Sequence, residues 1–324
     1  MDMEVVGMGD RPLIPVPRPL SGDLAIETNH LRKEFGRKVA VQDLTLQVPR
    51  GEVFGFLGPN GAGKTTAVKM LMGLVHPTSG SAKLLGLHLD DLRAKAKIGF
   101  LPEMFRFHEW LTAEEFLDFH GQLYGMSKEK RRTRVPEVLE LVGLRGEGKY
   151  RLGTFSKGMQ QRIGIGQAIL NDPEVVLLDE PTSALDPLGR RDVRDLIHFL
   201  KSEGRTVFLN SHLLSEIELV CDRVAIIDRG KVIATGQLQE LLAAGREIEV
   251  EAADVSPETM QALEGFSQSI ELSDGHIRLT VAGRESIPRL VEELVRHGVK
   301  IYSLNRRGSL EDLFIRVIED EERE

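Results

Sequence analysis

Residues 58–66 read GPNGAGKTT and fit the phosphate-binding pattern G-x-x-x-x-G-K-S/T. Glycines in such a loop let backbone N–H groups turn toward phosphate oxygens at the start of a helix. The lysine then reaches the β- and γ-phosphates, and the next hydroxyl group binds Mg²⁺. A strand-like GEVFGFL before the loop and a helix-like KTTAVKMLMGLV after it supply the required context. The residues expected to contact nucleotide are Gly58, Pro59, Asn60, Gly61, Ala62, Gly63, Lys64, Thr65 and Thr66.

A second motif lies at the end of the apolar stretch VVLLDEP, residues 175–181. It predicts a buried strand that delivers two acids at its carboxyl end, where ligands of open α/β sheets bind. Asp179 is expected to hold Mg²⁺ together with Thr65, and Glu180 to polarise the water that attacks the γ-phosphate. A bare Asp-Glu pair after a strand is usually only the start of a loop, but the phosphate loop upstream favours the catalytic interpretation.

The elements that must position these residues are predicted over about 24–245, where β-rich segments alternate with helical ones. That alternation is typical of a parallel or mixed sheet with crossover helices, an α/β core. Strand signals vanish between about 104 and 170, where TAEEFLDFHGQLYG and RVPEVLELVGL have helical apolar spacing. A helical subdomain is therefore expected to interrupt the sheet.

The two ends of the chain have different patterns. Residues 1–23 are rich in proline without apolar periodicity, which predicts a flexible tail. Residues 246–324 predict the order βαββαβα with an Asp-Gly turn in SDGH, which indicates a small accessory α+β domain of split βαβ type.

Composition narrows the class of protein. A formal charge of −8 argues against a nucleic-acid partner, and the basic run KEKRRTR (128–134) is most simply a solvated helix face. One cysteine among 324 residues gives no disulfide framework and fits a reducing compartment. No apolar run approaches the roughly 20 residues of a membrane span.

With these motifs in hand, residues 24–240 resemble the ATP-binding cassette (ABC) ATPases. Phe35 in KEFGRK stands where that family stacks an aromatic ring on adenine. The resemblance then continues in register through the phosphate loop, the Q-loop region at 98–110, the signature segment FSKGMQQR at 155–162, and the Asp-Glu strand. It ends with the D-loop SALD at 183–186 and the switch histidine His212. The fold expected is a P-loop NTPase core with ATP and Mg²⁺ as ligands.

The resemblance also implies a dimer. Ser156 is expected to cap a helix running to about Leu170, and in the family this helix start, with Lys157 and Gly158, clamps the γ-phosphate held by a second subunit. Lys157 and Met159 depart from the common Leu-Ser-Gly-Gly-Gln wording. Asp186 would belong to the intersubunit loop, and His212 would sense the γ-phosphate. As a lone residue, His212 reads more simply as an ordinary helix-start histidine.

Glu103 stands where many ABC ATPases carry glutamine, and the resemblance assigns it to nucleotide and metal binding. An ionised carboxylate only accepts hydrogen bonds, whereas glutamine also donates. Aromatic residues crowd the segment that follows. Phe105, Phe107 and Trp110 suit a groove that docks a membrane partner, with core packing of the helical subdomain as the competing explanation. Phe116, Phe119 and Tyr124 are expected to pack inside that subdomain.

The function indicated is the ATP-hydrolysing subunit of an exporter whose polytopic membrane permease is a separate chain. A Ser-Leu-Glu-Asp-x-Phe element (309–314) after the accessory domain resembles that branch. Lys64, Glu180 and His212 are the expected catalytic residues, in a homodimer on the cytoplasmic face of the membrane. The alternative is a soluble ABC ATPase of DNA repair or translation, although the coiled coils, zinc modules or second cassette of those proteins are not found in this sequence.

Overall fold

The computed structural model describes residues 23–183, 185–243, 247–267, 269–281 and 285–322. The tail predicted for residues 1–23 lies outside this set except for Asp23. The chain forms two compact units. One comprises the residues up to His212 together with Val220–Gly236, and the other comprises Leu213–Leu219 and the residues from Gln237 onward. None of the helices within the described ranges has the length and apolar character needed to cross a membrane.

The first unit is built on a ten-stranded mixed sheet with the order β5-β4-β1-β2-β10-β9-β3-β8-β7-β6. Its strands are β1 (Leu24–Phe35), β2 (Lys38–Pro49), β3 (Val53–Leu57), β4 (Ser79–Leu84), β5 (Leu87–His88), β6 (Ile98–Leu101), β7 (Val175–Asp179), β8 (Thr206–Asn210), β9 (Arg223–Asp228) and β10 (Lys231–Gln237). The helices of this part of the chain are α1 (Lys64–Leu71), α2 (Leu92–Lys95), α3 (Ala113–Leu123), α4 (Lys128–Leu141), α5 (Lys157–Ile169) and α6 (Pro187–Ser202).

The central strands β3, β7 and β8 are buried at every position and pair in parallel. Near-continuous apolar runs are expected where a parallel sheet is covered on both faces. The carboxyl ends of these strands therefore meet at one edge of the sheet, and the phosphate loop and the acidic pair lie at that edge. At the other end of the sheet, the pairs β1/β2, β1/β4 and β4/β5 are antiparallel, which makes the sheet mixed.

A helical subdomain interrupts the sheet, as the sequence predicts. Helices α3, α4 and α5 follow β6, and within this described stretch the only strand-like feature before β7 is an isolated bridge between Thr112 and Arg151. Thr112 also begins α3, because its hydroxyl accepts from the backbone N–H of Glu115 while the Glu115 carboxylate accepts from the N–H of Thr112. This capping box fixes where the helix starts after the aromatic loop.

The second unit contains α7 (Leu214–Val220), α8 (Leu238–Ala243), β11 (Glu247–Ala253), α9 (Pro257–Leu263), β12 (Ile270–Ser273), β13 (His276–Thr280), α10 (Ser286–Arg296), β14 (Lys300–Arg307) and α11 (Leu310–Glu322). From β11 onward the order is the predicted βαββαβα, and the antiparallel sheet has the order β12-β13-β11-β14. Asp274 and Gly275 form the predicted hairpin turn, both with positive φ (49° and 78°). The split βαβ prediction is thus confirmed.

The Ser-Leu-Glu-Asp element has a structural role in this unit. Ser309 and Asp312 cap α11 reciprocally, since each side chain accepts from the other's backbone N–H. The backbone N–H of Leu310 donates to the Glu218 carboxylate of α7 at 3.1 Å. A free N–H at the start of a helix is thereby satisfied by a residue 92 positions earlier in the chain.

Candidate nucleotide-binding site

The phosphate loop joins β3 to α1, and two of its glycines are needed for steric reasons. A Cβ on Gly58 would lie 2.2 Å from the backbone oxygen of Ile227, so the loop can leave the strand only with glycine there. Gly63 has φ of 104° at the N-cap of α1, and a Cβ there would lie 2.4 Å from the Ala40 oxygen. Gly61, with φ of 85°, has open space where its Cβ would be. The loop is therefore tightly seated at both ends and open in its middle.

Lys64, the first residue of α1, reaches back over this loop. Its ammonium group donates to the carbonyl oxygens of Gly58 at 2.6 Å and Pro59 at 3.1 Å. Burial lowers the pKa of Lys64, while the nearby carboxylates of Glu180, Asp179 and Glu103 oppose that shift. The charge is thus held in a partly desolvated position by carbonyls that a phosphate oxygen can replace.

Asp179 ends β7 and lies opposite Asn210, which ends β8 in the same register. The side-chain amide of Asn210 donates to Asp179 Oδ1 at 2.5 Å, and Asp179 also accepts from the backbone N–H of Glu103. Burial raises the pKa of Asp179, the bond from Asn210 lowers it, and the neighbouring carboxylates of Glu103 and Glu180 raise it further. The carboxylate is therefore placed where a cation would relieve an electrostatic cost.

Glu180 leaves the strand with φ of 54°, a backbone conformation that non-glycine residues rarely adopt. Its N–H donates to the Asn210 carbonyl at 2.8 Å, and its own carbonyl accepts from Gln161 Nε2 at 3.3 Å and Ser183 Oγ at 3.1 Å. These bonds hold a strained residue in place, as is common at functional sites.

The Glu180 side chain is 8% exposed, and both of its oxygens contact His212. The backbone N–H of His212 donates to Oε1 at 3.0 Å, and the ring nitrogen Nδ1 lies 2.8 Å from Oε2. A carboxylate oriented by an imidazole at the edge of a cavity can accept a proton from a water molecule.

These residues surround one cavity of about 470 Å³. Its lining consists of Lys38, Val39, Ala40, Asn60, Gly61, Gly63, Lys64, Thr65, Thr66, Glu103, Glu180, Asn210 and His212. Six of the nine phosphate-loop residues expected to contact nucleotide are in this lining, together with Glu103, Glu180 and His212. Gly58, Pro59 and Ala62 lie behind the loop, where their carbonyls accept from Lys64 (Gly58 and Pro59) and from the Gly230 N–H (Ala62).

The donor set around this cavity fits Mg²⁺. Thr65 and Glu103 line the cavity with a hydroxyl and a carboxylate, and the Asp179 carboxylate, which is not in the lining, accepts from the backbone N–H of Glu103. These are the hard oxygen ligands that Mg²⁺ prefers. Asn210 Oδ1 provides an independent indication of a metal site, because it is buried without a hydrogen-bond partner in the described structure. A buried oxygen of this kind calls for a water or ion beside it.

Phe35 is not among the residues that line this cavity, although its strand partner Lys38 is. It ends β1 and is 51% exposed, and the Lys33 ammonium group sits 4.9 Å from the centre of its ring. One face of the ring is thus in contact with a cation, which is a favourable arrangement. The remaining exposure leaves room for a stacked base.

The signature segment also lies outside the cavity lining. Ser156 caps α5, accepting from the Met159 N–H at 3.2 Å, and α5 ends at Ile169, close to the predicted end. Ser156 and Lys157 are exposed at this helix start. Asp186 accepts from the Gly189 N–H at 2.7 Å and caps α6, so its carboxylate has a structural role in this chain. Ala184 of the predicted D-loop lies outside the described residues.

The aromatic segment divides into two sets. Phe105 and Phe107 are half-buried, and Phe107 packs edge to face against the ring of Phe116 at 5.4 Å between centroids. Trp110 is 68% exposed and touches His108. Core packing, the competing explanation, therefore accounts for much of Phe105 and Phe107, because a compact subdomain buries the rings that face its own helices.

Several residues of this site are not predicted from the sequence. Asn210 ends a buried strand in the way that Asp179 does, and that shared pattern in TVFLN was the available signal. Gln161 carries no comparable signal, since only the packing of α5 brings it to the Glu180 carbonyl. Lys38, Val39 and Ala40 reach the cavity from the start of β2, directly after Phe35 in the KEFGRK segment.

Three features define a P-loop nucleotide-binding ATPase: the loop between a buried parallel strand and a helix, the lysine of that loop, and the acidic residues at the end of β7, a parallel strand of the same sheet. Comparison with known proteins narrows this class. A family model described as ABC transporter matches residues 41–183.

Several related proteins match this chain over most of its length. An uncharacterized ABC transporter ATP-binding protein of Synechocystis is 42% identical over 285 residues, covering 87% of this chain and 79% of that protein. The bacitracin transport ATP-binding protein of Bacillus licheniformis is 37% identical, covering 90% of this chain and 97% of the relative. The linearmycin resistance ATP-binding protein of Bacillus subtilis is 34% identical with the same coverage.

A solved ATP-binding subunit of an ABC transporter aligns with a TM-score of 0.63 and 32% identity, covering 67% of this chain and 91% of the other. A dimeric ATP-binding cassette in a post-hydrolysis state with ADP and Pi aligns with a TM-score of 0.60 and 27% identity, covering 65% of this chain and 98% of the other. The chain belongs to the ABC transporter ATP-binding protein family and is an ATPase.

Proposed function

We propose that this chain is the ATP-hydrolysing subunit of an exporter and drives a separate polytopic membrane permease from the cytoplasmic face of the membrane. Relatives named for bacitracin transport, linearmycin resistance and Nod factor export support an export role. The observation that carries the proposal is the single cavity in which Lys64 faces the Glu180–His212 pair. The triphosphate of a nucleotide and a catalytic base can meet there.

In the reaction we infer, the phosphate loop amides and Lys64 hold the β- and γ-phosphates. Glu180 then accepts a proton from the water whose oxygen attacks the γ-phosphorus, and the bond to the leaving ADP oxygen breaks. His212 orients the Glu180 carboxylate and lies at the cavity edge, where the γ-phosphate would be sensed. Phe35 would stack on the adenine ring.

Thr65, Asp179 and Glu103 would hold Mg²⁺ in this site. Bound there, Mg²⁺ would neutralise charge on the transferring phosphoryl group. The chain's own contribution is to place three oxygen donors beside Lys64, with Asp179 fixed by Asn210. Glu103 is an acceptor only when ionised, so its coupling to the metal should depend on charge more strongly than that of a glutamine.

The exposed start of α5 supports a head-to-tail homodimer. Ser156, Lys157 and Gly158 lie outside their own cavity, and the backbone N–H groups of a helix start favour anions. We therefore assign them to the γ-phosphate of the partner copy. Asp186, which caps α6, would set the position of the intersubunit loop. A dimeric cassette among the structural relatives is consistent with this arrangement.

Docking of the permease is assigned to the aromatic loop. Trp110 offers the most exposed large ring of that segment, while the half-buried rings of Phe105 and Phe107 pack edge to face against each other. Aromatic anchors are typical of interface hot spots. The alternative, a soluble ABC ATPase of repair or translation, gains no support from the relatives, whose names refer to an ABC transporter, linearmycin resistance and bacitracin transport.

The proposal is tested with Glu180→Gln, which keeps the shape of the side chain and an acceptor for the His212 N–H. Loss of the base should lower ATP turnover about 10²–10⁴-fold. ATP should remain bound and trap the dimer, which size-exclusion chromatography with ATP and Mg²⁺ would detect. Glu203→Gln, an exposed change in the same unit, is the control.

Two outcomes would contradict the proposal. Unchanged turnover would remove Glu180 from the chemistry, and a persistent monomer with bound ATP would remove the dimer clamp. For the transport role, the tagged chain should co-purify from membranes with a polytopic membrane protein. Recovery with ribosomes or DNA-repair proteins instead would favour the alternative.

A further inference from the structure

Asn210 contacts both members of the acidic pair. As the last residue of β8 it lies in register with Asp179, and its side-chain NH₂ donates to Asp179 Oδ1 at 2.5 Å. Its backbone carbonyl accepts the N–H of Glu180 at 2.8 Å. One residue therefore sets the side-chain position of one acid and the backbone position of the next.

The oxygen of the same side-chain amide, Asn210 Oδ1, has no such contact. Asn210 is 2% exposed and lines the nucleotide cavity, yet its Oδ1 is buried without a hydrogen-bond partner in the described structure. Reversing the amide would turn Oδ1 toward the Asp179 carboxylate, where an acceptor would meet an acceptor. The contact with Asp179 therefore fixes the orientation of the Asn210 amide, and Oδ1 remains available to accept a hydrogen bond.

We infer that Asn210 is a positioning residue for the divalent cation: its NH₂ fixes Asp179, and its Oδ1 accepts a hydrogen bond from a water molecule on the metal. The inference rests on the proposed function, because it requires a cation beside Asp179. Hydrogen-bonding partners behind metal ligands commonly orient those ligands and tune the metal's affinity. A metal-bound water has the donor that Oδ1 lacks.

A purely structural role is the competing explanation, in which the amide only joins the ends of β7 and β8. Thr206 offers the matched control, since it lies at the opposite end of the same strand and is 1% exposed. Its hydroxyl accepts from the Gly51 N–H at 2.9 Å. Thr206→Val removes a buried polar contact from β8 without touching the cavity.

The test compares Asn210→Val with Asn210→Thr, an isosteric pair that differs in one hydroxyl. Binding of a fluorescent ATP analogue is titrated with the protein in EDTA, and then against free Mg²⁺. The Val variant should need about 10–100-fold more Mg²⁺ for half-maximal binding. Its affinity in EDTA should stay within about twofold of wild type, because a metal-linked contact contributes nothing there. The Mg²⁺ concentration that the Thr variant needs should lie between those of the Val variant and wild type, since a hydroxyl both donates and accepts.

A Mg²⁺ midpoint for Asn210→Val that matches wild type and Thr206→Val would overturn the inference. Equal losses of affinity in EDTA and in Mg²⁺ would also overturn it, because they indicate a general effect on the fold. If the Val variant does not fold, Asn210→Ala is read by the same two titrations. A wild-type protein that binds no nucleotide would instead refute the proposed function, so the two failures are distinguishable.

Discussion

Replacing Asp179 with Asn removes a charge from a place where the fold opposes it. The carboxylate is 3% exposed, and burial together with the charges of Glu103 and Glu180 raises its pKa. The amide of the variant keeps an oxygen for the Asn210 donor and adds NH₂ donors beside those carboxylates. Single stabilising substitutions commonly add about 0.5–2 kcal/mol to the free energy of unfolding, and we expect a gain of that order here. For a unit of this size that corresponds to about 2–4 °C in Tm per kcal/mol.

The sign of the pH dependence follows from the raised pKa of Asp179. Stability contributed by this group is fully present below its ordinary value of 3.8 and is lost as the pH rises through the raised folded value. The stability of the variant relative to wild type should therefore increase over that interval and stay constant above it. Urea denaturation in EDTA, from mildly acidic to mildly alkaline pH, measures the difference.

Mg²⁺ and ATP should reverse the order. A ligand at about 100 times its Kd stabilises the protein that binds it by about 2.7 kcal/mol, and the variant lacks the carboxylate proposed to hold Mg²⁺. Wild type should then melt above Asp179→Asn. Asp195→Asn, an exposed change on α6, should behave as wild type throughout. The reasoning is refuted if Asp179→Asn melts below wild type in EDTA, or if the order does not change with Mg²⁺ and ATP.

Two further predictions concern the loop and the docking surface. Gly58→Ala places a Cβ 2.2 Å from a backbone oxygen and should lower the free energy of unfolding by about 1–3 kcal/mol or more. In Gly61→Ala the added Cβ meets no atom within 4 Å, so this variant should lose only about 1–2 kcal/mol of its free energy of unfolding and should lose ATP affinity instead. Urea denaturation and nucleotide titration distinguish the two variants, and equal losses of stability would count against this account. Trp110→Ala should leave the ATPase activity of the isolated chain unchanged and abolish its co-purification with the membrane subunit. Leu74 is similarly exposed, and Leu74→Ala should still co-purify. If Trp110→Ala also co-purifies, Trp110 is not part of the docking surface.

Much of the fold was predictable because its signals are local. The phosphate loop is a run of nine residues, the helical subdomain has its own apolar spacing, and the hairpin at Asp274 and Gly275 depends on two adjacent positive φ angles. Boundaries were less predictable. Helix α1 ends at Leu71, although the helical pattern continues for several residues, because the chain turns at Gly73 with φ of 68°.

The candidate site was predictable only in part. Asn210 and Gln161 reach the acidic pair through strand register and helix packing. The aromatic residues show the same limit. Phe105 and Trp110 are five positions apart in one loop, yet one packs within the subdomain and the other is mostly exposed. Composition alone could not separate docking from packing, because both need the same large apolar rings.

The sequence alone determined the chemistry of this protein: a glycine loop with its lysine, two acids after a buried strand, and a histidine after the next. These groups carry their function in their type and their local spacing. Tertiary structure decided how they act together. Parallel pairing of β7 with β8 sets Asp179 beside Asn210 and Glu180 beside His212, residues separated by about 30 positions in the chain. Burial of that strand edge then raises the pKa of one acid and leaves one amide oxygen without a donor, properties that exist only once the strands are packed.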